Sequence, residues 1–109
     1  MSWTEISITD LVAVTSPYVV DVREVDEYTD GHVPSAVNVP LSVLADNYTS
    51  ISAESTVYVV CQLGGRSARA CDFLSSLSEF DGVKFVNVVG GTAAWILDGN
   101  EVVSGDQPS

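Results

Sequence analysis

The stretch Val57-Tyr-Val-Val-Cys-Gln-Leu-Gly-Gly-Arg-Ser-Ala-Arg-Ala-Cys71 decides the fold. Its opening run is β-branched and aromatic without a polar break, which predicts a strand covered on both faces. From Arg66 onward the period changes, and Ala70, Leu74 and Leu77 recur on one face of a helix. Between strand and helix lie only Gln62, Leu63, Gly64 and Gly65, so the chain must turn in a tight cup, which the two glycines permit. A strand leading directly into a helix is the building unit of a parallel α/β sheet.

Working outward, Tyr18-Val-Val-Asp-Val22 and Phe85-Val-Asn-Val-Val89 repeat the apolar strand pattern, with a shorter version at Val37-Asn-Val39. Ser7-Ile-Thr-Asp10 reads as a capping box that opens a helix carrying Leu11, Val12 and Val14. Glu24-Val-Asp-Glu-Tyr28 reads as a solvated, charge-rich helix face. No internal repeat or low-complexity tract occurs. With 109 residues, 46% of them hydrophobic, the chain is expected to form one soluble domain over 1–104, followed by a flexible tail over 105–109.

Charge excludes several classes of partner. Fifteen acidic residues face four basic ones, Arg23, Arg66, Arg69 and Lys84, for a net charge of −11. Such a field repels a phosphate backbone or an anionic bilayer, so neither nucleic acid nor membrane is an expected partner. The Met1-Ser-Trp-Thr-Glu5 start shows no basic region followed by an apolar run, and no apolar stretch is long enough to span a bilayer. A cytoplasmic location is expected. Cys61, Cys71 and the sole histidine, His32, cannot supply a tetrahedral metal site, and an adequate core needs no disulfide. No metal and no cofactor is assigned.

In parallel α/β sheets ligands gather at the carboxyl ends of strands. Three breaks fall there: Asp21-Val-Arg23, Cys61 to Arg66, and Gly90-Gly91. Inside the cup, successive amides point inward at the start of a helix and, with Arg66, favour a thiolate on Cys61. That is the setting of a nucleophilic cysteine. Cys71 lies beside Ala70 on the helix and reads as a packing residue.

Taken in order, these segments resemble the single-domain rhodaneses. Cys61-Gln-Leu-Gly-Gly-Arg66-Ser67 is similar to the active loop of that family. Asp21-Val-Arg23-Glu24, Gly31-His-Val-Pro-Ser-Ala-Val-Asn-Val-Pro40 and Gly90-Gly-Thr-Ala-Ala-Trp95 are similar to its flanking motifs. Ser35 stands where the family often has glycine, and Cys71 where it often has alanine. The correspondence spans about residues 3 to 104.

The resemblance implies a three-layer α/β domain with a mostly parallel sheet, and a sulfurtransferase of the thiosulfate type. Cys61 would take the sulfane sulfur of thiosulfate as a persulfide and pass it to cyanide or a thiol. The loop Gln62, Leu63, Gly64, Gly65, Arg66 and Ser67 would hold persulfide and donor, with Arg66 on the sulfonate. Asp21 and Arg23 would pair with each other or brace the rim. His32 would brace a turn, Gly91 and Trp95 would pack helix against sheet, and Arg69 would add potential at the mouth or be solvated. A phosphatase or arsenate reductase is disfavoured, because those enzymes place five residues between cysteine and arginine where this chain has four. The alternative is a persulfide relay module loaded by a partner protein.

Overall fold

The computed structural model of the protein describes residues 3–109; Met1 and Ser2, part of the start read above for a leader, lie outside the described residues. Five strands form one sheet: β1 (Trp3–Ile6), β2 (Val19–Asp21), β3 (Val37–Asn38), β4 (Thr56–Val60) and β5 (Lys84–Val88). Every pairing is parallel, and the order is β1-β5-β4-β2-β3, which places β4 at the centre. Val59 pairs with Val20 on one side and with Asn87 on the other.

Helices α1 (Ile8–Val12), α2 (Val25–Asp30), α3 (Leu44–Asn47), α4 (Gly65–Ser75) and α5 (Gly91–Leu97) cover both faces. The pleat alternates side chains between two cores. Val57, Val59, Val20 and Phe85 meet Leu44 and the α4 residues Ala70, Cys71 and Leu74. Val19, Val60 and Val88 meet Ile8, Leu11 and Tyr28, with Trp95 packed alongside. The result is the parallel α/β sheet that the strand and helix periods predict, set in the three-layer domain that the resemblance implies.

Local signals hold with small shifts. The Ser7 side chain accepts from the Asp10 amide at 3.1 Å and caps α1, but the helix ends at Val12, leaving Val14 beyond it. Likewise α4 ends at Ser75, and Leu77 packs against the core from the following turn. Strand β1 was not expected: only its ends are half-buried, so Trp3-Thr-Glu-Ile6 lacks an apolar run and becomes a strand through pairing with β5.

The reading of residues 24–28 as a solvated face is corrected. Tyr28 is fully buried, hydrogen-bonds the Ala36 carbonyl and stacks on His32 with ring centroids 3.7 Å apart, while Glu27 points to the loop after β4. A six-residue helix pressed on a sheet has a buried side whatever its charge content, and one aromatic residue suffices to fill it. The segment 105–109, expected to be loose, makes defined contacts. The Pro108 carbonyl accepts from the Ser35 amide at 2.9 Å and lies 3.2 Å from His32 Nε2, and Gly105 donates to Thr29.

Candidate active site

Cys61 follows the central strand, where β4 ends in the middle of the sheet. Two neighbouring elements fix it. The start of α5 supports the loop from one side: Thr92 donates its amide to the Cys61 carbonyl at 2.8 Å, and Ala93 donates to the Gln62 carbonyl at 3.1 Å. This close approach requires Gly91, whose φ is +61° and where a Cβ would stand 2.4 Å from the Cys61 carbonyl oxygen. The start of α4 supplies the other side. Gly64, at φ +120°, turns its amide to donate to Cys61 Sγ at 3.0 Å, and the Ser67 hydroxyl donates to the same sulfur at 3.2 Å.

Behind them sits Asn87 of β5, buried, its amide group donating to the Gly64 carbonyl at 3.2 Å and its oxygen accepting from Ser67. Burial opposes ionisation of Cys61. The Ser67 hydroxyl and the amides of Ser67, Gly64 and Leu63 outweigh it and hold the thiol below its ordinary value. Cys71 lies in the core, where burial pushes its thiol up to about 12.

Arg66 does not stand free. Its guanidinium donates two hydrogen bonds, of 2.7 and 2.9 Å, to the carboxylate of Glu27, each side chain being about one-third exposed. The Arg66 fork in turn holds the Glu27 carboxyl down at about 2. Glu27 is also anchored by its own helix, because it accepts from the Glu24 amide at 3.1 Å in the capping box that opens α2.

Asp21 and Arg23 pair with each other, as expected, in a buried bridge of 2.9 Å. Arg23 also donates to the Gly31 carbonyl and to Gln62 Oε1, at 2.8 and 3.2 Å, and so ties the end of β2 to the cysteine loop. Arg23 borders an open cleft of about 280 Å³ lined also by Glu27, Asp30, Gln62, Thr92 and Ile96 among others, and Arg66 reaches it through its pair with Glu27. Leu63, at the tip of the loop, is 72% exposed. Gly65 and Arg69 are exposed at the start of α4.

His32 is buried away from the sulfur, bonded to the Tyr28 carbonyl and facing Pro108, so it braces a turn. Trp95 packs on the α1 side and donates its indole N–H to the Glu101 carbonyl. Among the described residues no group of three His, Cys, Asp or Glu side chains is placed to hold a metal ion, and no helix is long and apolar enough to cross a membrane.

Three residues of the site escaped the sequence reading. Glu27 carried a signal, the glutamate three residues after the start of a helix at Glu24. Asn87 is the one polar residue in an otherwise apolar strand run, and Thr92 the first hydroxyl after the glycine pair.

A cysteine at the carboxyl end of a central parallel strand, cupped by amides and followed by an arginine, is matched in known proteins. The family model for the rhodanese-like domain aligns with residues 7–98. The chain belongs to the rhodanese-like domain family. A rhodanese-related protein from Thermoplasma volcanium superposes with a TM-score of 0.84 at 34% identity, covering 94% of this chain and 99% of that one. Thiosulfate sulfurtransferase 16, chloroplastic, of Arabidopsis thaliana is 35% identical over 91 residues, 72% of this chain and 73% of its own length. Adenylyltransferase and sulfurtransferase uba4 of Ogataea parapolymorpha is 34% identical over 91 residues, but this chain spans only 23% of that protein. The names of the last two relatives are those of sulfurtransferases.

Proposed function

We propose that this rhodanese-like domain is a sulfurtransferase that carries sulfane sulfur on Cys61. The observation that carries the reading is the pair of donors on Cys61 Sγ, the Gly64 amide and the Ser67 hydroxyl. They favour a thiolate, and they favour equally the terminal sulfur of a persulfide, as an oxyanion hole favours an alkoxide.

With thiosulfate as donor, the Cys61 thiolate attacks the outer sulfur. A new S–S bond forms, the old one breaks with its electron pair on the departing sulfite, and Cys61 is left as a persulfide anion. Cyanide or a thiolate then takes the outer sulfur, giving thiocyanate or a new persulfide and restoring the Cys61 thiolate. Two half-reactions through a covalent intermediate imply ping-pong kinetics. The Gln62 to Ser67 loop surrounds the transferred sulfur, Arg66 is the cation that meets a sulfonate able to displace Glu27 from it, and the Asp21–Arg23 pair braces the rim through Gln62.

The second reading is a relay module that receives its sulfur from a partner protein. It is favoured by the engagement of Arg66 with Glu27, by the exposed Leu63 at the loop tip, and by the likeness to a domain-sized part of uba4. Two thiols without a disulfide suit a reducing, cytoplasmic setting for either role.

Intact mass after thiosulfate treatment tests the carrier. The parent protein and Cys71→Ala gain one sulfur atom, and Cys61→Ser gains none. A sulfur adduct on Cys61→Ser would overturn the assignment.

A further inference from the structure

We propose that Glu27 masks Arg66 and thereby sets donor selectivity, turning the site away from dianions and toward persulfides whose leaving group carries a single charge. The proposal rests on sulfur transfer through Cys61 and specifies which donors reach it.

Arg23 on the cleft and Arg66 behind its Glu27 wall are both already committed. Arg23 is spent on the buried Asp21 carboxylate, and Arg66 on the paired oxygens of Glu27. Asp30 lines the same cleft and adds a further negative charge. A dianion that approaches therefore meets no unpaired guanidinium there, in a protein whose net charge is −11.

Surface ion pairs in general are weak competitors, because two long side chains must be ordered to make them. This one is pre-ordered on the carboxylate side. Glu27 Oε1 accepts from the Glu24 amide as well as from Arg66 Nη1, so the capping box holds the carboxylate in place before the arginine arrives. The bidentate fork takes the paired edge of the Arg66 guanidinium and offsets its charge. To bind at that edge, a sulfonate must displace a carboxylate of the same geometry that is tethered to the protein.

An alkyl hydropersulfide, R–S–SH, avoids that competition. The Cys61 thiolate attacks its outer sulfur, the S–S bond breaks with its electron pair on R–S⁻, and Cys61 becomes Cys61–S–SH with the proton retained. The departing group bears one negative charge where sulfite bears two. The amide and hydroxyl donors around Cys61 serve this transfer without help from Arg66, and exposed Leu63 at the loop tip and half-exposed Ile96 on the cleft offer apolar contact to an organic group that a sulfonate cannot use.

Glu27→Gln is the informative variant. Glutamine still accepts from the Glu24 amide, so the start of α2 is preserved while the charge is lost. Sulfate, an inert dianion, should bind resting Glu27→Gln about five- to twentyfold more tightly than the parent in an NMR titration at fixed ionic strength, the range of one half-exposed charged contact. KM for thiosulfate should fall by a similar factor, and the ratio of kcat/KM for thiosulfate to kcat/KM for a small alkyl hydropersulfide should rise with it. The sulfate gain should vanish in Glu27→Gln combined with Arg66→Ala, a coupling that general damage to α2 would not produce. Should Glu27→Gln not fold, Arg66→Ala alone decides: loss of a masked cation should weaken sulfate binding less than about threefold, and a larger loss overturns the proposal. Equal sulfate affinity in parent and Glu27→Gln, or an equal change for both sulfur donors, would also overturn it. A sulfate gain accompanied by no sulfur transfer from either donor would leave the masking intact and refute transfer through Cys61 instead.

Discussion

The Ser67 hydroxyl carries one proton and stands within reach of three acceptors: Cys61 Sγ, the Gly64 carbonyl and the Asn87 side-chain oxygen. While Cys61 is a thiol the proton can rest on Asn87; when the sulfur is charged the best place for it is the sulfur. Ser67 thus acts on the charged states of Cys61, the thiolate and the persulfide anion, and Ser67→Ala should move the midpoint of Cys61 alkylation upward in pH, toward the ordinary thiol value. The sign follows from the hydroxyl's preference for the anion, which the alanine lacks. Iodoacetamide rates across pH 5 to 10 measure the shift, and an unchanged or lower midpoint would show that the loop amides suffice. The same experiment should modify one thiol of two below pH 9, since Cys71 is buried and held near 12.

At the scale of elements, the cup is made by the ends of two helices closing on one strand, and glycine is required at only some of its positions. Gly91→Ala should destabilise the fold by about 2 to 4 kcal/mol, from a left-handed backbone together with a Cβ that collides with the Cys61 and Gln62 carbonyls. Gly65→Ala meets nothing within 4 Å and has no positive φ, so its stability should stay within about 0.5 kcal/mol of the parent. Denaturant melts of the two variants distinguish a packing requirement at Gly91 from a general need for loop flexibility. The strand run before Cys61, the turn at Gly64 and the helix after Arg66 were legible in the sequence because each is a local property of period or backbone freedom, whereas the freedom expected of Gly65 is not used, since that residue is already helical with no positive φ and no close neighbour. The Asp21–Arg23 pair was legible because it spans two residues. The Glu27 clamp on Arg66 and the Asn87 support behind Ser67 were not, since each joins segments set side by side only by the sheet order. Strand β1 was hidden for a related reason: its identity comes from its partner and not from its own residues.

For the molecule as a whole, a net charge of −11 opposes the approach of any anionic donor, and with Arg23 and Arg66 paired the exposed Arg69 at the start of α4 is left to offset it locally. Salt screens the distant repulsion first, as the Debye length shortens from about 30 Å at 0.01 M to about 8 Å at 0.15 M. Raising ionic strength over that interval should leave kcat/KM for thiosulfate flat or raise it, measured with chloride and with a bulkier inert anion so that occupation of the cup is recognised. A steep fall with both salts would mean that a local positive field governs the encounter. The sheet order carries a different consequence, for how the protein is made. β1 pairs with β5, the last strand to be synthesised, and β5 also completes one side of β4. Until Lys84 to Val88 have left the ribosome, the first strand has no partner and the central strand presents an open edge bearing Val57, Val59 and Val60. A translational pause between residues 61 and 84 prolongs that exposure, so the interval of greatest aggregation hazard for this chain lies in its birth.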